Sequence, residues 1–321
     1  MSKKMKKNFP ALSVKNLTKV FPVRCEDKKK KTLTAVDNIS FDLNKGEILG
    51  LLGPNGAGKT TTIQMLLSIL KPSEGSIEYF GKNLDSHRSE ILQDVAFAST
   101  YINLPWRLTV WENLDVYARL YGLSKEQRKQ RINRFLDFFK IGDQKHKPMT
   151  DLSAGQNTRV MLAKAFLAHP KVVLLDEPTA SLDPDIAQEV RKFINMQRSE
   201  YEVSILFTSH NMQEVAELCD RVVVLQKGKL IASDTPDDLI AQVSHTNLKL
   251  SVGDGMKRTV KVCKAKKLNY QVDDRLIEIT VEEKKIANLL NSLAKEGVDY
   301  KQISILKPTL EDYFLQVSRE K

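Results

Sequence analysis

Cysteine is scarce: the 321 residues hold three, Cys25, Cys219 and Cys263. Odd in number and unpaired by any motif, they exclude a disulfide framework and a zinc site and fit a reducing compartment. Long apolar runs are missing as well. Stretches such as IQMLLSIL (63–70) fall well short of the roughly 20 residues that a membrane span needs. The basic start, MSKKMKKNFPALSV, is not followed by the apolar core of a secretion signal. A net excess of basic charge is absent from most of the chain too. The net charge is +10, but residues 1–31 carry +9 of it and the remaining 290 only +1. A nucleic-acid channel needs a basic surface across the fold. The excess therefore reads as a basic tail plus a solvated run, Lys28–Lys31, and no nucleic-acid partner is expected. Anionic lipid headgroups are the alternative partner for that run, at about 1 kcal/mol per lysine near a membrane surface.

What is present is the composition of an ordinary globular chain, 41% hydrophobic and 28% charged, with a length that suggests roughly two domains. SVKNLTKVF and LTAVDNISFDL alternate as strands around a charged loop, PVRCEDKKKK. EILGLL, DVAFAS, KVVLLDE and VSILFTSH read as buried strands, TTIQMLLSIL and DIAQEVRKFINMQR as helices, and RVVVL-QKG-KLIASD as a hairpin. Residues 109–147 are helical in pattern and highly charged in part. This alternation predicts a largely parallel sheet with helices on both sides. Near residue 245 the pattern changes to a small α/β unit of ferredoxin-like character, in which no chemistry is legible. The expected organisation is a basic tail over 1–10, a main domain over 11–244 and an accessory domain over 245–321.

GPNGAGKT (53–60) fits G-x-x-x-x-G-K-[ST] between a strand and a helix. Gly53, Gly56 and Gly58 let the backbone point successive N–H groups inward, and the helix start adds its positive end, so an anion is held by dipoles. Lys59 then reaches the β- and γ-phosphates and the Thr60 hydroxyl reaches Mg2+. VVLLDEP (172–178) delivers Asp176 at a strand end, where a carboxylate holds Mg2+, and Glu177 beside it suits a general base, a role worth about 10² to 10⁴ in rate. TSH (208–210) ends another apolar strand. His210 would lie at the carboxyl edge of the same sheet, where α/β ligands bind, and is a candidate γ-phosphate sensor. Lastly, LSAGQNTR (152–159) carries a capping box, Ser153 with Gln156, opening an amphipathic helix that stops before Pro170.

GPNGAGKTT, LSAGQ, LLDEPTASLDP and FTSH, in that order, resemble the nucleotide-binding subunit of an ABC transporter over residues from about 12 to 240. The resemblance implies an α/β P-loop ABC ATPase fold: a RecA-like parallel core, an antiparallel β subdomain and a helical subdomain over 109–150, with the small C-terminal α/β domain appended. It implies ATP and Mg2+ as ligands, held by Gly53, Pro54, Asn55, Gly56, Ala57, Gly58, Lys59, Thr60 and Thr61. Phe21 lies where an aromatic stacks on adenine, and Asp176, Glu177 and His210 take the roles given above. Ser181, Leu182 and Asp183 match the family's D-loop. In the family, two subunits face head to tail, so Ser153, Gly155 and Gln156 close over ATP bound by the other subunit's loop. A second copy or a related ATPase subunit is therefore expected as partner, beneath polytopic membrane permease subunits at the cytoplasmic face of the membrane. The ending PTLEDYFLQV resembles that of bacterial drug and antibiotic exporters. A soluble member acting on ribosomes or DNA is the rival reading.

Three departures from the family stand out. AFASTYINLP has Ser99 or Thr100 where a glutamine normally ligates Mg2+. A serine hydroxyl or an extra water is then expected to complete the shell. Ala154 replaces a glycine in the signature, with little effect expected. The loop after Phe21, PVRCEDKKKK, is longer than the family's usual link.

Overall fold

The computed structural model describes residues 9–23, 31–99, 104–180, 182–243 and 245–319. Most of the basic tail, the lysines at 28–30, Cys25, Thr100 and Ser181 lie outside the described residues. The chain divides into two compact units, residues 1–235 and 236–321. This division falls before the 244/245 boundary read from the sequence, because the helix Pro236–Ala241 packs with the last helix, Leu310–Arg319.

In the first unit the elements, labelled in chain order, begin with strands β1 (Leu12–Val23), β2 (Lys31–Leu43) and β3 (Ile48–Leu52), then helix α1 (Lys59–Leu66). Next come β4 (Glu74–Tyr79), β5 (Lys82–Asn83), α2 (Arg88–Gln93) and β6 (Val95–Ser99). Helices α3 (Val110–Leu120), α4 (Lys125–Phe138) and α5 (Ala154–Phe166) follow. The unit closes with β7 (Val172–Asp176), α6 (Pro184–Tyr201), β8 (Ser204–Thr208), α7 (Met212–Leu218) and the hairpin β9 (Arg221–Gln226) and β10 (Lys229–Asp234). Six strands form one sheet, ordered β10-β9-β3-β8-β7-β6, parallel except for β10. Its inner strands are buried on both faces, which is why ILGLL, VVLLD and SILFT are unbroken apolar runs rather than alternating ones. A second sheet, β2-β1-β4-β5, is antiparallel. Its buried residues, among them Leu12, Leu17, Ile39 and Leu43, join Leu49, Leu51 and Val223 of the parallel sheet in one core.

The helical segment begins each helix with a side-chain cap. Thr109 and Glu112 form a capping box on α3, Ser124 and Gln127 on α4, and Ser153 and Gln156 on α5. These caps satisfy N–H groups that would otherwise have no partner, at a gain of about 1 kcal/mol each. Phe193 of α6 ties this segment to the sheet. Its ring lies 4.8 to 6.1 Å from those of Phe135, Phe138, Phe139 and Phe166 on α4, α5 and the turn between them. The helix read over 61–70 is shorter and earlier than expected: α1 starts at Lys59 and ends at Leu66, with Ser68 in a left-handed turn.

The second unit opens with α8 (Pro236–Ala241) and continues through β11 (His245–Asp254), α9 (Met256–Ala265), β12 (Asn269–Asp273), β13 (Leu276–Glu282), α10 (Ile286–Lys295), β14 (Asp299–Leu306) and α11 (Leu310–Arg319). The βαββαβ run with the antiparallel order β12-β13-β11-β14 is the ferredoxin-like arrangement. Leu248, Leu250, Ile277 and Ile279 of the sheet bury against Val262 of α9 and Leu289 and Leu293 of α10. Among the described residues, no cluster of His, Cys, Asp and Glu capable of holding a metal occurs in either unit.

Candidate functional site

The loop 53–58 leaves β3 and enters α1 through three glycines with positive φ: Gly53 at +156°, Gly56 at +78° and Gly58 at +105°. Gly58 is the N-cap and offers no side chain to α1, so the first helical N–H groups are turned outward without an internal acceptor. Thr62 is drawn back instead, its hydroxyl donating to the Gly58 carbonyl at 2.9 Å. Lys59 folds over the loop, its Nζ donating to the carbonyls of Gly53 at 2.5 Å and Pro54 at 3.2 Å. Burial lowers the Lys59 pKa, and the carboxylates of Glu177 and Asp176 oppose that shift.

Opposite the loop, parallel register sets Ser99, Asp176 and Thr208 side by side at the ends of β6, β7 and β8. The Thr208 hydroxyl donates to one oxygen of Asp176 at 2.7 Å, and the Ser99 hydroxyl donates to the other at 3.2 Å. Glu177 then turns out of the strand with φ +53°, a left-handed conformation uncommon for a side chain of its size. Its own N–H is held by the Thr208 carbonyl and hydroxyl, both at 3.1 Å. Its carboxylate accepts from the His210 backbone N–H at 3.2 Å, and the His210 ring Nε2 lies 3.2 Å from the other oxygen. Only 6% of the Glu177 side chain is exposed, against 56% of His210. Burial raises the Glu177 pKa, the neighbouring His210 opposes the shift, and Asp176 adds to it.

One open cavity of about 670 Å³ collects most of the residues singled out in the sequence. Phe21, Asn55, Gly56, Ala57, Gly58, Lys59, Thr60, Thr61, Asp176, Glu177 and His210 all line it. Lys19 lies over the Phe21 ring at 5.2 Å from its centroid. Ser153, Gly155 and Gln156 do not line it. They open α5, where Ser153 accepts from the Gln156 N–H at 3.2 Å and the Gln156 side chain accepts from the Ser153 N–H at 2.9 Å. Leu33, Thr34 and Ala35 of β2 and Lys227 of the β9–β10 turn also line the cavity and were not foreseen. The turn reaches the loop because Gly228 donates to the Ala57 carbonyl at 3.1 Å and accepts from Asp37 at 2.8 Å. The QKG turn was legible; its landing place was not.

Thr60 and Asp176 both face this cavity and present oxygen only. Oxygen donors fit a hard divalent cation such as Mg2+.

The ABC transporter family model matches residues 36–180. The bacitracin transport ATP-binding protein BcrA of Bacillus licheniformis is 32% identical over 285 residues, covering 88% of this chain and 92% of its own. The linearmycin resistance ATP-binding protein LnrL of Bacillus subtilis is 30% identical, covering 90% of this chain and 94% of its own. A solved ATP-binding subunit of an ABC transporter superposes with a TM-score of 0.64 at 28% identity, over 72% of this chain and 92% of its own. With a phosphate loop, a strand-end carboxylate pair and a histidine gathered on one sheet edge, and with relatives matched over nearly their whole length, the chain belongs to the ATP-binding, ATP-hydrolysing subunits of ABC transporters.

Proposed function

We propose that this chain drives a drug or antibiotic exporter by closing head to tail on a second ATPase subunit whenever both hold ATP. The observation that carries the reading is the division of the site. The phosphate loop, Asp176, Glu177 and His210 share one cavity, whereas Ser153, Gly155 and Gln156 stand apart at a capped helix start. A helix start of this kind binds anions, so its ligand is the γ-phosphate held by the partner's loop. ATP then stabilises the closed pair, and hydrolysis releases it.

In this reading Phe21 stacks on adenine, and the backbone of residues 53–61 with the Lys59 ammonium cradles the phosphates. Thr60 and Asp176 would hold Mg2+, whose positive charge would offset that of the phosphates. Ser99 stands in for the missing glutamine, since its hydroxyl already contacts Asp176. Glu177 takes a proton from the attacking water. Its buried, raised pKa improves it as a base relative to an exposed carboxylate. His210 orients Glu177 and meets the γ-phosphate.

Among the described residues no helix is long and apolar enough to span a membrane; in this scheme polytopic permease subunits supply the spanning part. The chain sits peripherally at the cytoplasmic face. Exposed Trp106, with Arg107 over its ring at 4.5 Å, and exposed Val116 and Leu120 on the following helix supply apolar surface for that contact. The exporter assignment rests on the bacitracin and linearmycin relatives. A tagged Glu177→Gln chain, recovered from solubilised native membranes with Mg-ATP, tests the proposal. A polytopic membrane protein bound in the presence of ATP supports it. Ribosomal proteins or nucleic acid, with no membrane protein, would overturn it.

A further inference from the structure

We infer that Glu214 is a positioning residue for ATP hydrolysis, a buried carboxylate that ties the loop carrying Glu177 to the loop carrying His210. This rests on the roles just proposed for those two residues. Glu214 lies in the first turn of α7 with only 6% of its side chain exposed. One of its oxygens accepts from the Thr179 hydroxyl at 2.6 Å and from the Ser209 hydroxyl at 3.1 Å. The other accepts from the Arg191 guanidinium at 2.9 Å. Thr179 is two residues past Glu177, Ser209 directly precedes His210, and Arg191 stands on α6. The ring closes locally as well. The Ser209 hydroxyl accepts from the Asn211 N–H at 3.0 Å, and the Asn211 side chain caps α7 by accepting from the N–H groups of Gln213 and Glu214. His210 is thus flanked on both sides by residues anchored to Glu214.

A buried carboxylate is a poor device for stability alone, because apolar groups of the same shape often serve as well. What three charge-assisted or hydroxyl donors on one carboxylate provide is direction. Here they come from three segments, and the contact between them is the 3.2 Å Glu177–His210 pair. Loosening either loop changes where the base and the histidine stand, and a displacement near 1 Å costs about 10² in rate.

The test uses the purified full chain. Glu214→Gln, Thr179→Val and Ser209→Ala are compared with His210→Ala and Glu177→Gln for kcat, KM, affinity for a fluorescent ATP analogue and melting temperature. Glu214→Gln should lower kcat about 10- to 100-fold while the analogue's affinity stays within about threefold, because binding is set by the phosphate loop. Added to His210→Ala, it should cost nothing further, since both act through one arrangement. Parental kcat in Glu214→Gln, or a full additive loss in the double variant, would overturn the inference. So would equal losses of kcat and binding that track the unfolded fraction. If Glu214→Gln does not fold, the two hydroxyl variants decide: a lowered kcat with intact binding supports the inference, and parental kcat in both overturns it. Parental kcat in His210→Ala and Glu177→Gln would instead overturn the reading of the site itself.

Discussion

Two glycines two positions apart in sequence should respond very differently to the same methyl group. At Gly58, φ is +105° and an added Cβ would lie 2.6 Å from the Ala35 carbonyl oxygen and 3.3 Å from a Val36 methyl. At Gly56, φ is +78° and nothing lies within 4 Å. A left-handed conformation costs an L residue about 1–2 kcal/mol, so Gly56→Ala bears that cost alone. Gly58→Ala bears it plus an overlap with the Ala35 backbone carbonyl of β2, which lies beside a register irregularity in the β1–β2 pairing. A total of about 3 kcal/mol or more follows for Gly58→Ala if strained backbone and overlap add. The loop escapes by leaving the anion-binding shape, so the loss appears in nucleotide affinity. At about 1.4 kcal/mol per tenfold, Gly56→Ala should weaken ATP binding by about 5- to 30-fold and Gly58→Ala by more than about a hundredfold. Thermal melting with and without ATP reads this directly. A ligand at a hundred times its Kd adds about 2.7 kcal/mol of stability; at that concentration Gly58→Ala should lose nearly all of the gain, while Gly56→Ala keeps about a third to two thirds of it. Equal damage in the two variants, or normal binding by Gly58→Ala, would refute the reasoning.

Three further outcomes are expected. Ser99→Ala removes one hydroxyl from Asp176 and should raise the Mg2+ concentration for half-maximal ATPase activity severalfold; an unchanged Mg2+ dependence would remove Ser99 from the metal's surroundings. Burial lowers the Lys164 pKa to about 8 from 10.5, and the ammonium sits 5.1 Å over the Tyr117 ring with no ion pair among the described residues. The folded state thus binds fewer protons than the unfolded one between about pH 8 and 10.5, and stability rises with pH across that window. Lys164→Met should therefore stabilise the chain at pH 7, by about 1–3 kcal/mol from the linkage of roughly 1.4 kcal/mol per pKa unit, with the gain fading by pH 10.5; a constant gain across that range would exclude the titration as its cause. Phe193→Ala empties the contact of four aromatic rings and should cost about 3–5 kcal/mol, read as a lower denaturation midpoint at unchanged slope.

The parallel sheet was legible because strands buried on both faces must be continuous apolar runs, and ILGLL, VVLLD and SILFT are. The start of α5 was legible because Ser153 stands three residues before Gln156; the same pattern at Thr109 and Ser124, which caps α3 and α4, was not singled out. The helix α9 was missed: its sequence MKRTVKVCKA is β-branched and basic, and its buried face, Thr259, Val262 and Cys263, becomes evident only in the core of the second unit. The chain's reach was missed in the same way at Lys227 and Ala35, which enter the cavity through pairings between residues far apart in sequence.

By itself the sequence determined the chemistry: which residues are glycines able to bend a phosphate loop, which carboxylates end a strand, and which serine caps a helix. Those are local properties, set by φ preference, periodicity and hydrogen-bonding capacity within a few residues. Only the tertiary structure decided how they stand to one another. Strand register put Ser99 and Thr208 on Asp176, a left-handed turn swung Glu177 onto His210, and Glu214 joined their loops. Contacts of that kind depend on which strands become neighbours, and neighbourhood is settled by burial of the whole core rather than by any short stretch.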